Sequence, residues 1–271
     1  MLKQLLFSWI LLLPLAHLNN AQAMEADSDD EIGRLFVSDS DSDECNCPHD
    51  EQAKTLHQAA KNLCNSCCEQ FILAGAHAYE TDVNGDTPLH LWARNVHAIT
   101  EKGSDKICKL LVSRYGNVNA INKDGETPLH CAAWFGNQKF CELLIFHGAK
   151  VNITHRDYGT PLNRAACYGS SEVCKLLILR GADIYATNIL GDTALHAAAS
   201  SGAIETCKAI VNTVLEHELL LALIKATHNF EYDHTAVLVE LINQKNNRGQ
   251  TAYGVAQSEE IKKILEPYVK K

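Results

Sequence analysis

The 271-residue sequence lacks the usual marks of catalysis. It has no glycine-rich phosphate loop, no HExxH helix and no GxSxG turn. Cysteine–histidine pairs are unavoidable with 11 cysteines and 13 histidines, and a thiol enzyme would also need a base set against an exposed cysteine. Cys131 and Cys167 are the candidates, and a thiol-dependent hydrolase is the remote alternative to a chain that is not an enzyme. Basic excess is also missing. Lys and Arg number 24 against 33 Asp and Glu, for a net charge of −9, which argues against nucleic acid because that partner needs a basic face. Past the first residues, no apolar run approaches the roughly 20 residues of a membrane span.

What the sequence does have is a period. Thr127-Pro128-Leu129-His130 returns as Thr160-Pro161-Leu162-Asn163 and as Thr193-Ala194-Leu195-His196, each step being 33 residues. Thr87-Pro88-Leu89-His90 lies upstream, Thr251-Ala252-Tyr253-Gly254 downstream, and a worn copy, Lys54-Thr55-Leu56-His57, precedes them. A cysteine stands at one column of the repeat: Cys68, Cys141, Cys174 and Cys207, joined by Cys108 once an insertion is allowed for. Cys68, Cys141 and Cys174 open apolar runs that end in Gly-Ala, at Gly75-Ala76, Gly148-Ala149 and Gly181-Ala182, where glycine supplies the left-handed residue that closes a helix. A turn dipeptide such as Asp124-Gly125 follows. Each unit therefore reads as helix, turn, helix and hairpin-like loop, and self-similarity at a fixed period identifies a stacked array.

These residues resemble the ankyrin-repeat family over about residues 54–269. The resemblance implies an all-α repeat solenoid of about six units with projecting β-hairpin loops, protein binding, and no cofactor or metal. Units are expected to start near residues 54, 87, 127, 160, 193 and 251. Threonine is a helix cap and proline suits the first helical position. In the family the histidine of the tetrad hydrogen-bonds neighbouring loops, and Asn163 takes its place once here. The cysteine column is expected to be reduced and buried. Neighbouring layers lie about 10 Å apart, while a disulfide needs Cα atoms within about 7 Å.

Two units carry inserts, one within 97–105 and one within 216–246. The larger holds Leu219–Ile224 and Val237–Ile242, read as an elongated second helix, a loop and an added helix. Inserts map to loops on one face, often the binding face; a tolerated surface excursion is the other reading. The charged run from Ser258 to Leu265 suits a terminal cap.

The N-terminus is different. Lys3, the apolar run from Leu5 to Leu18 and Ala21-Gln22-Ala23 read as a secretory signal peptide over 1–23, with an uncleaved anchor as the alternative. Residues 24–44 hold nine acids and one base, a net −8; setting aside Lys3 and this segment leaves −2 for residues 45–271. Such composition predicts a disordered acidic tail, taken here as 24–53 with its cysteines. Cys45, Cys47, Cys64 and Cys67 lie outside the core column. Two disulfides, a zinc site with His49 and Cys68 nearby, and unpaired thiols all remain open for them.

Together these features predict an exported, monomeric protein-binding module, either an effector directed at a host protein or a scaffold for a periplasmic or lumenal resident. By the family resemblance, the partner meets the loop tips and the inner face of the first helices. Those positions are Val83, Lys123, Asp124, Arg156, Asp157, Ile189 and Leu190 at tips, and Arg94, Asn95, Trp134, Phe135, Cys167, Tyr168, Ser200 and Ser201 on helices. Trp134, Phe135, Tyr168, Ile189 and Leu190 form the expected central stripe, with Arg156 beside it. Trp134 is expected to serve binding alone, so that its removal spares stability.

Overall fold

The computed structural model describes residues 55–62, 65–94, 109–112, 116–226, 233 and 235–270. The leader, the acidic tail, Cys45, Cys47, Cys64, Asn95, Cys108 and the insert within 97–105 lie outside the described residues, as does most of the 228–234 stretch.

The helices come in pairs: α1 (Leu56–Lys61) with α2 (Asn65–Leu73), α4 (Pro128–Trp134) with α5 (Gln138–Phe146), α6 (Pro161–Cys167) with α7 (Ser171–Leu179), α8 (Ala194–Ser200) with α9 (Ile204–Ala226), and α11 (Ala252–Val255) with α12 (Glu259–Leu265). The second unit opens with α3 (Pro88–Ala93), and residues 109–112 of its second segment are helical. The added helix is α10 (Ala236–Asn243), and a 3-10 turn, Glu266–Tyr268, ends the stack.

Each first helix starts because a threonine closes it. Thr127, Thr160 and Thr193 accept from the backbone N–H three residues on, at 3.4, 3.5 and 3.4 Å. The side chain at that third position accepts in return from the threonine N–H, which answers two otherwise unpaired helix-end donors. In the first unit the cap is Thr55, one residue past the position in register, Lys54. The tetrad leucines, Leu89, Leu129, Leu162 and Leu195, are all buried in one continuous core. Cys68, Cys141, Cys174 and Cys207 are buried with them. Burial pushes the Cys207 thiol up to about 12, so it stays protonated and behaves as a small hydrophobe.

The same tetrad residues join one unit to the next. His90 Nδ1 accepts from Thr87 N–H at 3.1 Å, and its Nε2 lies 3.0 Å from the Glu126 carbonyl. His130 reaches the Gly159 carbonyl and His196 the Gln250 carbonyl in the same way. An imidazole that accepts at Nδ1 must be neutral and donate from Nε2, so each ring is a fixed strut. Asn163 copies the arrangement with an amide, accepting at Oδ1 from Thr160 and donating from Nδ2 to the Asp192 carbonyl. Structural hydrogen bonding accounts for this column, as the swap to Asn163 implies.

The projecting loops are closed by turns. Among the described residues there is no strand, and the one bridge is His155 with Gly159. Asp82, Asn122, Asn188 and Asn246 each accept two backbone N–H groups of their own loop; His155 does the same with Nδ1. Local side-chain acceptors thus reinforce the short backbone pairing across each loop, such as Asn122 N–H to Glu126 O at 3.0 Å, which does not extend into a ladder. Tips also bond to each other, Lys123 N–H to Asn84 O and Asn247 N–H to Leu190 O. This approach explains Gly191, where φ is +77° and a Cβ would lie 2.5 Å from Asn247 Oδ1.

The larger insert is part of the core. Leu238, Leu241 and Ile242 of α10 are fully buried against α9 and the last unit. Tyr185 donates to the Val237 carbonyl, and Asn243 Nδ2 donates to the Tyr268 carbonyl at 2.9 Å. The described end of the insert is therefore packed structure, and a loose surface excursion does not describe residues 235–243. At the terminus Ser258 caps α12 by accepting from Ile261 N–H, and exposed Lys262–Glu259 and Lys208–Glu260 pairs coat the outside.

Candidate functional site: an arginine-centred aromatic groove

The first helices of the second, third and fourth units end on one open groove of about 600 Å³. It is lined by Arg94, Asp124, Glu126, Cys131, Trp134, Phe135, His155, Asp157, Tyr158 and Arg164. Five of the expected contact residues therefore meet here: Arg94, Asp124, Trp134, Phe135 and Asp157.

The centre of the groove is Arg164, a residue outside the expected set. Counted from the threonine position it is the fifth residue of its unit, where the other units carry Gln58, Leu91, Cys131, Ala197 and Val255. Its side chain is almost wholly buried. The guanidinium carbon lies 3.5 Å from the centroid of Trp134 and 3.6 Å from that of Tyr158, so two rings cover the cation. Planar, weakly hydrated guanidinium suits such stacking, and a desolvated cation–π contact is worth about 2 kcal/mol. Nη2 of Arg164 is bound to Glu126. Glu126 is shared, since Arg94 Nη2 lies 3.5 Å from its other oxygen. Burial pushes the Glu126 carboxyl up, but Arg164 and then Arg94 outweigh burial and hold it below the usual carboxylate range. Arg94 also binds Asp86 through both terminal nitrogens, at 2.8 and 3.2 Å, and Asn122 donates to the same carboxylate. The network Asp86–Arg94–Glu126–Arg164 is thus balanced within itself.

Rings continue outward from this centre. Tyr168 stacks on Trp134 with centroids 4.4 Å apart, Phe135 lies alongside at 6.3 Å, and His155 stacks on Tyr158 at 4.7 Å. His155 Nε2 faces the Asp124 carbonyl, which ties two tips together. The outer members are open: Phe135 is 41% exposed, Tyr158 46% and Tyr168 51%.

The structure revises several expectations. Trp134 is half-buried between Arg164 and Tyr168, so it packs against the groove's own residues as well as presenting an exposed edge. Arg94 is held inside the ionic network by Asp86 and Glu126. Lys123 sends its ammonium to the Val83 carbonyl at 2.7 Å, a tip-to-tip strut. Ile189 and Leu190 are exposed at a separate tip and do not line the groove, nor does Arg156. Cys67 is buried on α2. Cys131 is buried beside Glu126, and burial followed by that carboxylate pushes its thiol up to about 12. Such a thiol is no nucleophile. Cys167 is exposed at the end of α6. No group of three metal-ligating side chains occurs among the described residues.

Residues 56–155 and 162–267 match the family of ankyrin repeats, described as an array of three copies, and the chain belongs to that family. Ankyrin repeats generally mediate protein–protein interaction and are typically without catalysis. No curated protein matches the chain.

Proposed function

We propose that the chain is an exported protein-binding module whose partner docks on the aromatic groove and the neighbouring tips. The observation that supports this most is the open ring cluster of Phe135, Tyr158 and Tyr168 around a rigid, internally neutralised Arg164. Monomers rarely leave clustered aromatics in the open without use, and interface hot spots favour aromatic residues set on a preorganised base. Export is supported by the leader-like residues 1–23, and the acidic segment 24–44 accompanies it. An effector that meets a host protein fits both features, with a periplasmic or lumenal scaffold as the competing destination.

The test uses the full chain as bait from cells and from the medium, beside the double variant Phe135→Ala/Tyr168→Ala. Both side chains are exposed, so the variant should fold, with a modest fall in melting temperature from loss of the Tyr168 stack on Trp134 that circular dichroism measures alongside. A partner retained by the wild type and lost by the variant supports the reading. Equal retention by both moves the site elsewhere, to the Ile189–Leu190 tip first.

A further inference from the structure

The charge left over at the groove points to the chemistry of what it receives. Arg94 and Arg164 are answered by Asp86 and Glu126. Two lining carboxylates remain, Asp124 and Asp157, both at exposed tips and neither in an ion pair among the described residues. His155, the other titratable group between them, is engaged with the loops, its Nδ1 accepting two backbone N–H groups and its Nε2 facing the Asp124 carbonyl. The groove therefore carries net negative charge against an aromatic wall. Aromatic faces are themselves electronegative, and this wall already holds one guanidinium within 3.6 Å of two ring centroids. An incoming anion would meet Asp124 and Asp157, while the guanidinium that could attract it is covered by rings and turned to Glu126.

We propose that the groove takes a cationic side chain, arginine or lysine, from an extended segment of the partner protein, seated between Asp124 and Asp157 and against the exposed edges of Trp134, Phe135 and Tyr158. This rests on the groove being the partner site and adds the partner's chemistry. The seat is prebuilt. Asp124 follows Asn122 and Asp157 follows His155 in loops whose own side chains clamp the backbone, and the His155 bond to the Asp124 carbonyl fixes one loop against the other. The charges that steer the partner are at the tips, so association should weaken as salt rises.

The chain has three tryptophans, Trp9, Trp92 and Trp134, so its indole N–H resonances form a simple reporter. The nitrogen-15-labelled full chain is titrated with three capped pentapeptides, Gly-Arg-Ala-Arg-Gly, Gly-Gln-Ala-Gln-Gly and Gly-Glu-Ala-Glu-Gly, up to millimolar concentration; Trp134→Phe assigns the signal. The arginine peptide should shift the Trp134 indole saturably and leave the fully buried Trp92 unmoved. In Asp124→Asn/Asp157→Asn the same titration should weaken by about three- to tenfold, as losing two exposed charge contacts predicts. Four results would overturn the inference. They are a glutamine or glutamate peptide that shifts Trp134 as strongly, an unchanged affinity in the double variant, no shift with any peptide, and a Trp134 shift on dilution of the protein alone, which would assign the groove to a second copy. None of the first three touches the broader reading, which the Phe135/Tyr168 capture decides separately.

Discussion

Acid should loosen this array through its buried histidines, and His130 allows the effect to be isolated. His90, His130 and His196 are each held neutral, with Nδ1 accepting a backbone N–H and Nε2 facing a carbonyl of the next loop. A second proton on Nδ1 would point at a donor. Burial lowers all three pKa values from 6.5, that of His130 to about 4. The unfolded chain takes up these protons below pH 6.5, and the folded chain takes up the His130 proton near pH 4. The stability due to His130 is therefore whole above about pH 6.5 and drains away as pH falls toward 4. The full gap is worth about 3 kcal/mol, of which about 2 kcal/mol is gone by pH 5. Asn163 shows that an uncharged amide can occupy this position, so His130→Asn should keep the cap and the strut. Urea unfolding of the wild type and His130→Asn at pH 8 and pH 5 provides the measurement. The variant should lie within about 1 kcal/mol of the wild type at pH 8 and lose roughly 2 kcal/mol less on acidification. Equal losses in both proteins would refute the argument.

Other outcomes follow from the same geometry. Leu162→Ala should cost about 2–5 kcal/mol by urea unfolding, as removal of a fully buried leucine does; a change within error would place it outside the core. Trp134→Ala should lower stability by about 2 kcal/mol because it uncovers Arg164, and should also weaken partner binding about tenfold or more; an unchanged melting temperature would show the stack to be idle. Gly191→Ala should destabilise by at least about 1 kcal/mol, since it combines a positive φ with a Cβ pressed on Asn247, and wild-type thermal stability would contradict that contact. Mass spectrometry of exported protein should find Met24 as the first residue, whereas a chain retaining residues 1–23 would favour the anchor.

The repeat made most of the architecture readable. Thr-Pro-Leu-His states a cap, a first-turn proline, a core leucine and a strut within four residues, and the local chemistry of each is the chemistry seen. The loops were less readable, because Asp-Gly suggests a hairpin ladder whereas Asn122, His155 and their equivalents close the turns from the side chain. The groove was half readable. Position within the repeat places Trp134, Phe135 and Tyr168 on the inner face, but their mutual stacking depends on Arg164, which spacing rules assign to no class. A signal was present. A charged residue stands in a column whose other members, Gln58, Leu91, Cys131, Ala197 and Val255, are uncharged, and Glu126 sits 38 residues away as its buried acidic partner. Sequence separation hides such a pair until the units are stacked. The packing of α10 was hidden for a related reason, since Leu238, Leu241 and Ile242 find their neighbours outside the repeat register.

The inserted helix also changes how the array can come apart. A plain stack of units frays from its ends, because a terminal unit has one neighbour to leave. Here the last pair, α11 and α12, cannot detach alone. Helix α10 is packed against α9 and α11, Asn243 grips the chain at the Tyr268 carbonyl and the Lys270 N–H, and His196 holds the Gln250 carbonyl. Opening that end means lifting α10, α11 and α12 as one cooperative block. Amide exchange there should be slow and shared across residues 236–265, so that the C-terminal end behaves as a lock on the array and not as a loose edge.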